Sequence, residues 1–323
     1  MMSRAAFSKS SAELALITKV ARLYHQQGIS QPQIAERLSL SQPRVSRLLK
    51  EAIELGIVRI TVVSPGSVHS DLEQALCQKF GLQDAVVAHI DEPTDESILQ
   101  AIGAAGANYL EVSLNAQDVM GISSWSATLL AVVEAMQSNT AKASKVIQLQ
   151  GGVGNPAAQI QATRLTDRLA TLTSADALFL AAPGVVASVE VRDGLLQDQY
   201  IAQVVGSWDS LDVALLGIGA LQPSPLLADS GNSLNPDDLA GLSEQGAVGD
   251  VCLHFFDTNG VHVPSSFEDR TIGISAGKLR AIPRKIGFAG GPRKLEAIRA
   301  AAIGGWVDVL VTDSATAAAL LVN

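Results

Sequence analysis

Residues 17–60 read ITKVARLYHQQGISQPQIAERLSLSQPRVSRLLKEAIELGIVRI. Their apolar spacing predicts three helices. The first covers about residues 12–27, with Leu14, Ile17, Ala21 and Tyr24 on one face, and Gly28 follows as a stop signal. The second starts at Ser30. Gln33, three residues on, completes a capping box, and Pro32 falls in the first turn, where a missing N–H costs nothing. Ile34, Ala35 and Leu38 face inward. After the short turn Ser39-Leu40-Ser41, a third helix runs from about Gln42 to Glu54 with Ser41 as its N-cap. Val45, Leu48, Leu49, Ala52 and Ile53 make one stripe on it, and Pro43, Arg44, Arg47 and Lys50 lie largely away from that stripe. A short helix, a tight turn and a helix with a basic outer face form the helix-turn-helix pattern. The expected DNA contacts are Gln42, Pro43, Arg44, Ser46, Arg47 and Lys50, with short side chains admitting the helix to the major groove and arginines reaching guanine edges or phosphates.

Working outward, Gly56 to Val63 alternates like a strand and resembles a small wing, and Ser64-Pro65-Gly66-Ser67 reads as a linker. The expected division is therefore an all-α DNA-binding domain over 1–63 and a second domain over 64–323. Charge supports the split. The chain of 323 residues has a net charge of −9, yet residues 1–60 hold nine Lys/Arg against four Asp/Glu, and residues 61–323 hold fourteen against twenty-eight. A basic head on an acidic body confines phosphate attraction to the head.

Hydrophobic residues make up 47% of the chain and charged ones 17%, which is enough to bury a large core and excludes disorder. The mean hydropathy of +0.25 raises the question of membrane insertion. The longest apolar stretches, near 119–133 and 177–189, are too short and carry Ser, Gly or Pro. Two distant cysteines, Cys77 and Cys252, and a polar start after Met1 with no visible signal peptide point to a reduced, cytoplasmic protein.

From about residue 85 onward, short apolar runs alternate with amphipathic stretches. Strands are expected at Ala85–His89, Val119–Ile122, Val146–Leu149, Ala177–Leu180, Val213–Gly217, Ile286–Ala289 and Val309–Thr312. This alternation implies an α/β domain with a mainly parallel sheet, whose ligands sit beyond the strands' carboxyl ends. Val251–Phe256, Asp257-Thr258-Asn259-Gly260 and Val261–Val263 instead read as a β-hairpin with an Asn-Gly turn. Four of the strand-to-helix loops are rich in Gly and small polar residues. They carry Ser123, Ser124, Trp125 and Thr128; Gln150, Gly151 and Gly152; Gly290-Gly291-Pro292-Arg293-Lys294; and Thr312 and Asp313. Hydroxyls, bare N–H groups and helix N-termini suit a polyhydroxyl or phosphorylated ligand. Pro292 is expected to open a helix, with Lys294 in its first turn.

The 17–60 stretch resembles the SorC family of sugar-responsive bacterial regulators. Ser39 stands in a turn where that family often has Gly, and a left-handed Ser there costs about 1 kcal/mol. The resemblance extends through LQGGVGNP, DVALLGIGAL, GAVGDV, IGFAGGPRKLEAIRAA and DVLVTDSATAAALL, and so over nearly the whole chain. It implies a Rossmann-like effector domain related in fold to sugar-phosphate isomerases and deaminases. In relatives with phosphorylated effectors, the acid of GAVGD and the lysine after AGG contact the ligand, which maps onto Asp250 and Lys294. Where many members read Ser-Trp-Gly-x-Thr, this chain reads Ser123-Ser124-Trp125-Ser126-Ala127-Thr128. The implied function is an effector-controlled DNA-binding regulator. Its partners are operator DNA, a sugar, polyol or sugar phosphate, and further copies of itself as a dimer or tetramer.

The rival class is an isomerase or deaminase-like enzyme. Asp250 could serve as its carboxylate, but none of the five histidines falls in the Gly-rich loops, and catalysis leaves the basic head unexplained. A purely architectural DNA-binding protein leaves the acidic α/β domain unexplained. Neither Gly151-Gly152-Val153-Gly154 nor Gly217-Ile218-Gly219 has dinucleotide-binding spacing, so no cofactor is expected. His254, Asp257 and His262 straddle the expected hairpin, where polar faces are common, and no metal is expected. Trp125 and Trp208 read as packing residues.

Overall fold

The computed structural model describes residues 10–58, 69–137, 141–153, 156–223, 228 and 234–322. The chain divides into two compact units, Met1–Val63 and Ser64–Asn323.

Serines start the helices of the first unit. Helix α1 (Ser11–His25) is capped by Ser10, whose N–H donates to Glu13 Oε2 at 3.0 Å while its Oγ accepts from the Glu13 N–H at 3.3 Å. Helix α2 (Gln31–Leu38) has the expected partner at Gln33, whose Oε1 accepts from the Ser30 N–H at 3.1 Å. It stops at Ser39, in the left-handed region at φ 51°, ψ 43°. Helix α3 (Gln42–Glu54) follows Ser41. Ile17, Val20, Ala21, Leu23, Ile34, Ala35, Val45, Leu48, Leu49, Ala52 and Leu55 form one core among the three helices. Two residues of the expected apolar faces, Tyr24 and Ile53, are exposed instead. Ile53 lies on the same side of α3 as the exposed Gln42 and Ser46, turned away from Val45 and Ala52. The expected wing and linker from residue 59 onward lie outside the described residues.

The second unit is an α/β fold around seven parallel strands: β1 (Asp84–Ala88), β2 (Val119–Ile122), β3 (Lys145–Gln148), β4 (Asp176–Leu178), β5 (Val213–Gly217), β9 (Arg284–Phe288) and β10 (Val309–Asp313). Their order is β1-β10-β9-β5-β2-β3-β4. Strand residues alternate between two cores. Ala214, Leu216, Ile147 and Leu310 belong to one, and Val213, Leu215, Val146 and Val311 to the other. Both faces are thus covered, which is why these strands read as unbroken apolar runs. Helices α5 (Asp95–Ser113), α6 (Ala127–Ala135) and α7 (Pro156–Thr173) cover the second core. The first is covered by α4 (Ser70–Phe80), α9 (Gln199–Ser207), α11 (Ala276–Ala281), α12 (Leu295–Ile303) and α13 (Ser314–Val322). The remaining described helices are α8 (Val189–Leu196) and α10 (Pro236–Glu244).

The chain runs β2-β3-β4 toward one edge and then returns to lay β5 on the other side of β2. Between the carboxyl ends of β2 and β5 lies the switch point where open α/β sheets bind ligands. A small antiparallel sheet, β6 (Gly219–Ala220), β7 (Ala247–Val251) and β8 (His254–Asp257), follows from there.

This small sheet departs from the expected hairpin. The strand expected over 251–256 is broken at Cys252 and Leu253, which take φ 52° and 65° and form a two-residue turn pairing Val251 with His254. Two consecutive left-handed residues are the geometry of a tight hairpin turn, normally announced by Asn-Gly. Here burial of both side chains overrides local preference. The Asp257–Gly260 turn exists, but its return is a single bridge between Phe256 and His262.

Candidate functional site

On α3, Gln42, Pro43, Arg44, Ser46, Arg47 and Lys50 are all exposed, while Val45, Leu48, Leu49 and Ala52 anchor the helix from behind. Lys50 pairs with Glu54 at 3.9 Å, both well exposed, so the pair is weak and readily exchanged for another anion. Arg44 and Arg47 also line a recess with Glu13, Leu16, Ile17, Leu48 and Glu51, which sets their stems against α1. A rigid helix thus presents a row of polar and cationic side chains, the arrangement that reads a major groove.

In the second unit a cleft opens at the switch point. From the loop after β2 come Ser123, Trp125 and Ser126, and from the first turn of α6 Ala127 and Thr128. Ser123 Oγ accepts from the Gly217 N–H at 3.2 Å, tying the ends of β2 and β5 together. Ser126 caps α6, its Oγ accepting from the Leu129 N–H at 3.2 Å. Gln150 enters after β3; its Oε1 is buried and has no hydrogen-bond partner.

Asp250 and Lys294 both line the cleft. Asp250 sits on β7 and is buried, and its Oδ2 accepts from the Leu253 N–H at 3.0 Å across the tight turn. A Cβ at Gly219 would come within 2.0 Å of Asp250 Oδ1, so a larger residue opposite the carboxylate displaces it. Burial pushes the Asp250 carboxyl up to about 6, against the Leu253 hydrogen bond and the charges of Lys294 and His254. Burial likewise holds the Lys294 ammonium below the ordinary lysine range, aided by Arg293 and opposed by Asp250. The lysine lies in a single 3-10 turn, Pro292–Lys294, and α12 begins only at Leu295. It therefore precedes the helix that the sequence pattern placed it in.

Of the residues nominated from the sequence, Ser123, Trp125, Thr128, Gln150, Asp250 and Lys294 meet in this cleft. Ser124, Gly151, Gly152, Thr312 and Asp313 do not line it. Ser124 Oγ donates to the Gln150 carbonyl at 3.1 Å. Gly151 is packed so tightly that a Cβ would lie 2.2 Å from the Pro183 carbonyl oxygen, and its own carbonyl accepts from Trp125 Nε1 at 3.3 Å. Gly152 adjoins the Gln148 side chain. Asp313 accepts from the Gly291 N–H at 3.2 Å and the Thr316 N–H at 2.8 Å, so it holds the loop that carries Lys294. Thr312 is buried within β10. Trp125 and Trp208 are both buried, Trp208 donating to the Gln148 carbonyl at 2.9 Å.

Sequence reasoning missed Gly217, Ile218, Gly219, Ala220, Gln222, Pro223, Cys252 and Leu253 as lining residues. Gly217 ends β5 and Ile218-Gly219 come next, and that position at a strand's carboxyl end was the available signal.

A family model described as "Putative sugar-binding domain" matches residues 65–322, and one described as "MarR family" matches residues 20–66. The sorbitol operon regulator of Klebsiella pneumoniae is 34% identical over 321 residues, covering 97% of this chain and 99% of its own. The chain belongs to the SorC family of transcriptional regulators. A deoxyribonucleoside regulator of Bacillus subtilis is 34% identical over 306 residues, 95% of this chain and 97% of that one. The crystal structure of full-length sorbitol operon regulator SorC from Klebsiella pneumoniae superposes with a TM-score of 0.71 at 32% identity, covering 96% of this chain and 100% of that one. This SorC-family chain is accordingly a DNA-binding transcriptional regulator with a sugar-binding domain, and regulation rather than catalysis is its function. Among the described residues no helix is long and apolar enough to cross a membrane.

Proposed function

We propose that the cleft between β2 and β5 holds a carbohydrate-type effector, a sugar, polyol or sugar phosphate, that controls operator binding by α3. The observation that carries this reading is the meeting of Asp250, Lys294 and the unpaired Gln150 Oε1 in one cleft. A carboxylate accepts from two hydroxyls, a buried amide oxygen needs a donor, and an ammonium next to Arg293 attracts an anionic end. Ser123, Trp125 and Thr128 form the wall, while Ser124, Gly151, Gly152, Thr312 and Asp313 act from behind by holding it in shape. The unit is a Rossmann-like relative of sugar-phosphate isomerases and deaminases, with its ligand at the switch point of a parallel sheet.

Arg44, Arg47 and Lys50, with Gln42, Pro43 and Ser46, contact operator DNA in this reading, Met1–Val63 being the DNA-binding domain and Ser64–Asn323 the effector domain. One helix reads too few base pairs for genomic specificity, so the protein works in the cytoplasm as a symmetric dimer or tetramer on paired half-sites. The test is a thermal-shift screen of pentoses, hexoses, polyols and their phosphates on the full chain and on Lys294→Ala and Asp250→Ala. A binder raises the melting temperature by mass action. Lys294→Ala is expected to lose the response to phosphorylated ligands selectively, and Asp250→Ala to lose both kinds. Unchanged responses in both variants place the effector elsewhere.

A further inference from the structure

Away from the cleft, His254, His262 and Glu268 bring their ligand atoms within 4.8 Å of one another. They come from three separate segments: β8, the return after the 257–260 turn, and the 3-10 turn Glu268–Arg270. Asp257, which the sequence groups with the two histidines, is not part of the cluster. Its Oδ1 is committed to the turn, accepting from the Asn259 and Val261 N–H groups at 2.9 Å each.

The hydrogen-bond chemistry of His254 is decisive. Its Nε2 lies 2.7 Å from the Ile274 carbonyl oxygen, which can only accept. Nε2 therefore carries the proton, and in the neutral ring Nδ1 presents a lone pair. Nδ1 lies 2.6 Å from Glu268 Oε1. The other carboxylate oxygen, Oε2, lies 2.9 Å from His262 Nε2, a buried atom without hydrogen-bond geometry to any partner. Three potential ligand atoms thus converge on one point, where the Glu268 carboxylate can be balanced by protons on the imidazoles or by one metal ion. A proton satisfies the His254–Glu268 contact at 2.6 Å, whereas the 2.9 Å His262–Glu268 contact lacks good hydrogen-bond geometry. Donation of the far ring nitrogen to a backbone carbonyl is also the support that metal-bound histidines use. Trp306, fully buried, stacks on His254 with ring centroids 6.2 Å apart and closes one side.

We propose that His254 Nδ1, His262 Nε2 and Glu268 bind one divalent transition-metal ion of zinc-like chemistry. Two imidazoles and a carboxylate suit such an ion, and the half-buried side leaves a fourth position for water. Neighbouring ligand atoms in a tetrahedral shell lie about 3.3 Å apart, so Glu268 and His262 draw back by less than about 1 Å on binding. Both have room, being 23% and 27% exposed, whereas His254 is fixed at 4%. The ion ties the Glu268 turn to β8. From that turn the chain runs into Ile272–Ile274, which bonds to Leu149 and Gly151 on either side of Gln150. The metal therefore braces the strand segment that presents Gln150 to the cleft.

The test is equilibrium dialysis of the chelator-stripped full chain against Zn²⁺, with Co²⁺ absorption as an independent report of ligand geometry. One metal per chain is expected, with a tetrahedral-type Co²⁺ spectrum. His262→Ala and Glu268→Gln, checked for native circular dichroism, should each weaken uptake by more than the roughly 10–100-fold that loss of a supporting partner costs. Two replacements at different segments keep the test decisive if one fails to fold. His89→Ala is the control, because His69 Nε2 and His89 Nδ1 also lie close together, 3.1 Å apart on the surface. The proposal is overturned by no stoichiometric uptake, by uptake that survives both substitutions, or by uptake lost in His89→Ala.

Discussion

Replacing Asp250 with asparagine isolates the energetic consequence of burying a carboxylate in the cleft. In the folded chain burial pushes this carboxyl up to about 6 from its ordinary 3.8. At 1.36 kcal/mol per pH unit, that difference corresponds to about 3 kcal/mol. The sign is opposite to that of an acid stabilised by a salt bridge. Between 3.8 and about 6 the native state holds a proton that the unfolded state has released. Stability contributed by the neutral carboxyl is therefore fully present below 3.8 and is lost as pH rises through about 6. The Asp250→Asn chain has no such loss, and its amide oxygen can still accept from the Leu253 N–H. The expected result is a variant equal to the parent near pH 4 and more stable by about 1–3 kcal/mol above pH 7, the gap opening between those values. All three tryptophans, Trp125, Trp208 and Trp306, lie in Ser64–Asn323, so their fluorescence in urea follows that unit alone. The gain in stability should accompany loss of effector response, as for a strained functional group. A gap that is constant with pH, or an Asp250→Asn variant less stable at pH 7.5, refutes the reasoning.

Further substitutions probe the helices and the cleft. Ser39→Gly should stabilise the N-terminal unit by about 1 kcal/mol in a thermal melt, because Ser39 sits at φ 51°; no gain would show that the turn carries no left-handed cost. Gly219→Ala should abolish effector binding while leaving operator affinity intact, since the new Cβ would meet Asp250 Oδ1 at 2.0 Å; calorimetry reads the first and anisotropy the second, and retained effector affinity contradicts it. Arg44→Ala and Arg47→Ala should each cost about 1–3 kcal/mol of operator binding if the arginine reads a base, or flatten the salt dependence if it holds phosphate. A double variant that binds like the parent removes α3 from the interface.

Much of this fold was legible from periodicity. Two strands, Val119–Ile122 and Val213–Gly217, fall where the apolar runs predicted them, and the other five differ by one or two residues at their ends. Doubly buried parallel strands leave that signature because neither face can be polar. The three N-terminal helices were legible from their apolar spacing, the helix starts at Ser30 and Ser41, and Gly28. The small sheet was not, because its turn uses Cys252 and Leu253, residues whose left-handed geometry is imposed by tertiary burial and not encoded locally. The cleft was half legible. Loops after strands pointed to Ser123, Gln150 and Lys294, but pattern could not separate glycines that face a ligand from Gly151, which yields to the Pro183 carbonyl. Nor could it foresee that Asp313 would hold the Gly290-Gly291 loop. Glu268 escaped notice because it meets His254 and His262 only through the tertiary path of the 268–274 segment.

The most direct test of effector control is to titrate sugars, polyols and sugar phosphates into a preformed complex of the full chain with its operator fragment, following fluorescence anisotropy at constant salt. With the wild-type chain, at least one ligand of this class should change operator affinity by roughly 5–150-fold, the usual range of allosteric coupling. The Asp250→Ala chain should bind the same DNA with no ligand response. If no ligand of the class moves wild-type affinity, or if Asp250→Ala responds as the wild type does, the cleft is not the site through which DNA binding is controlled.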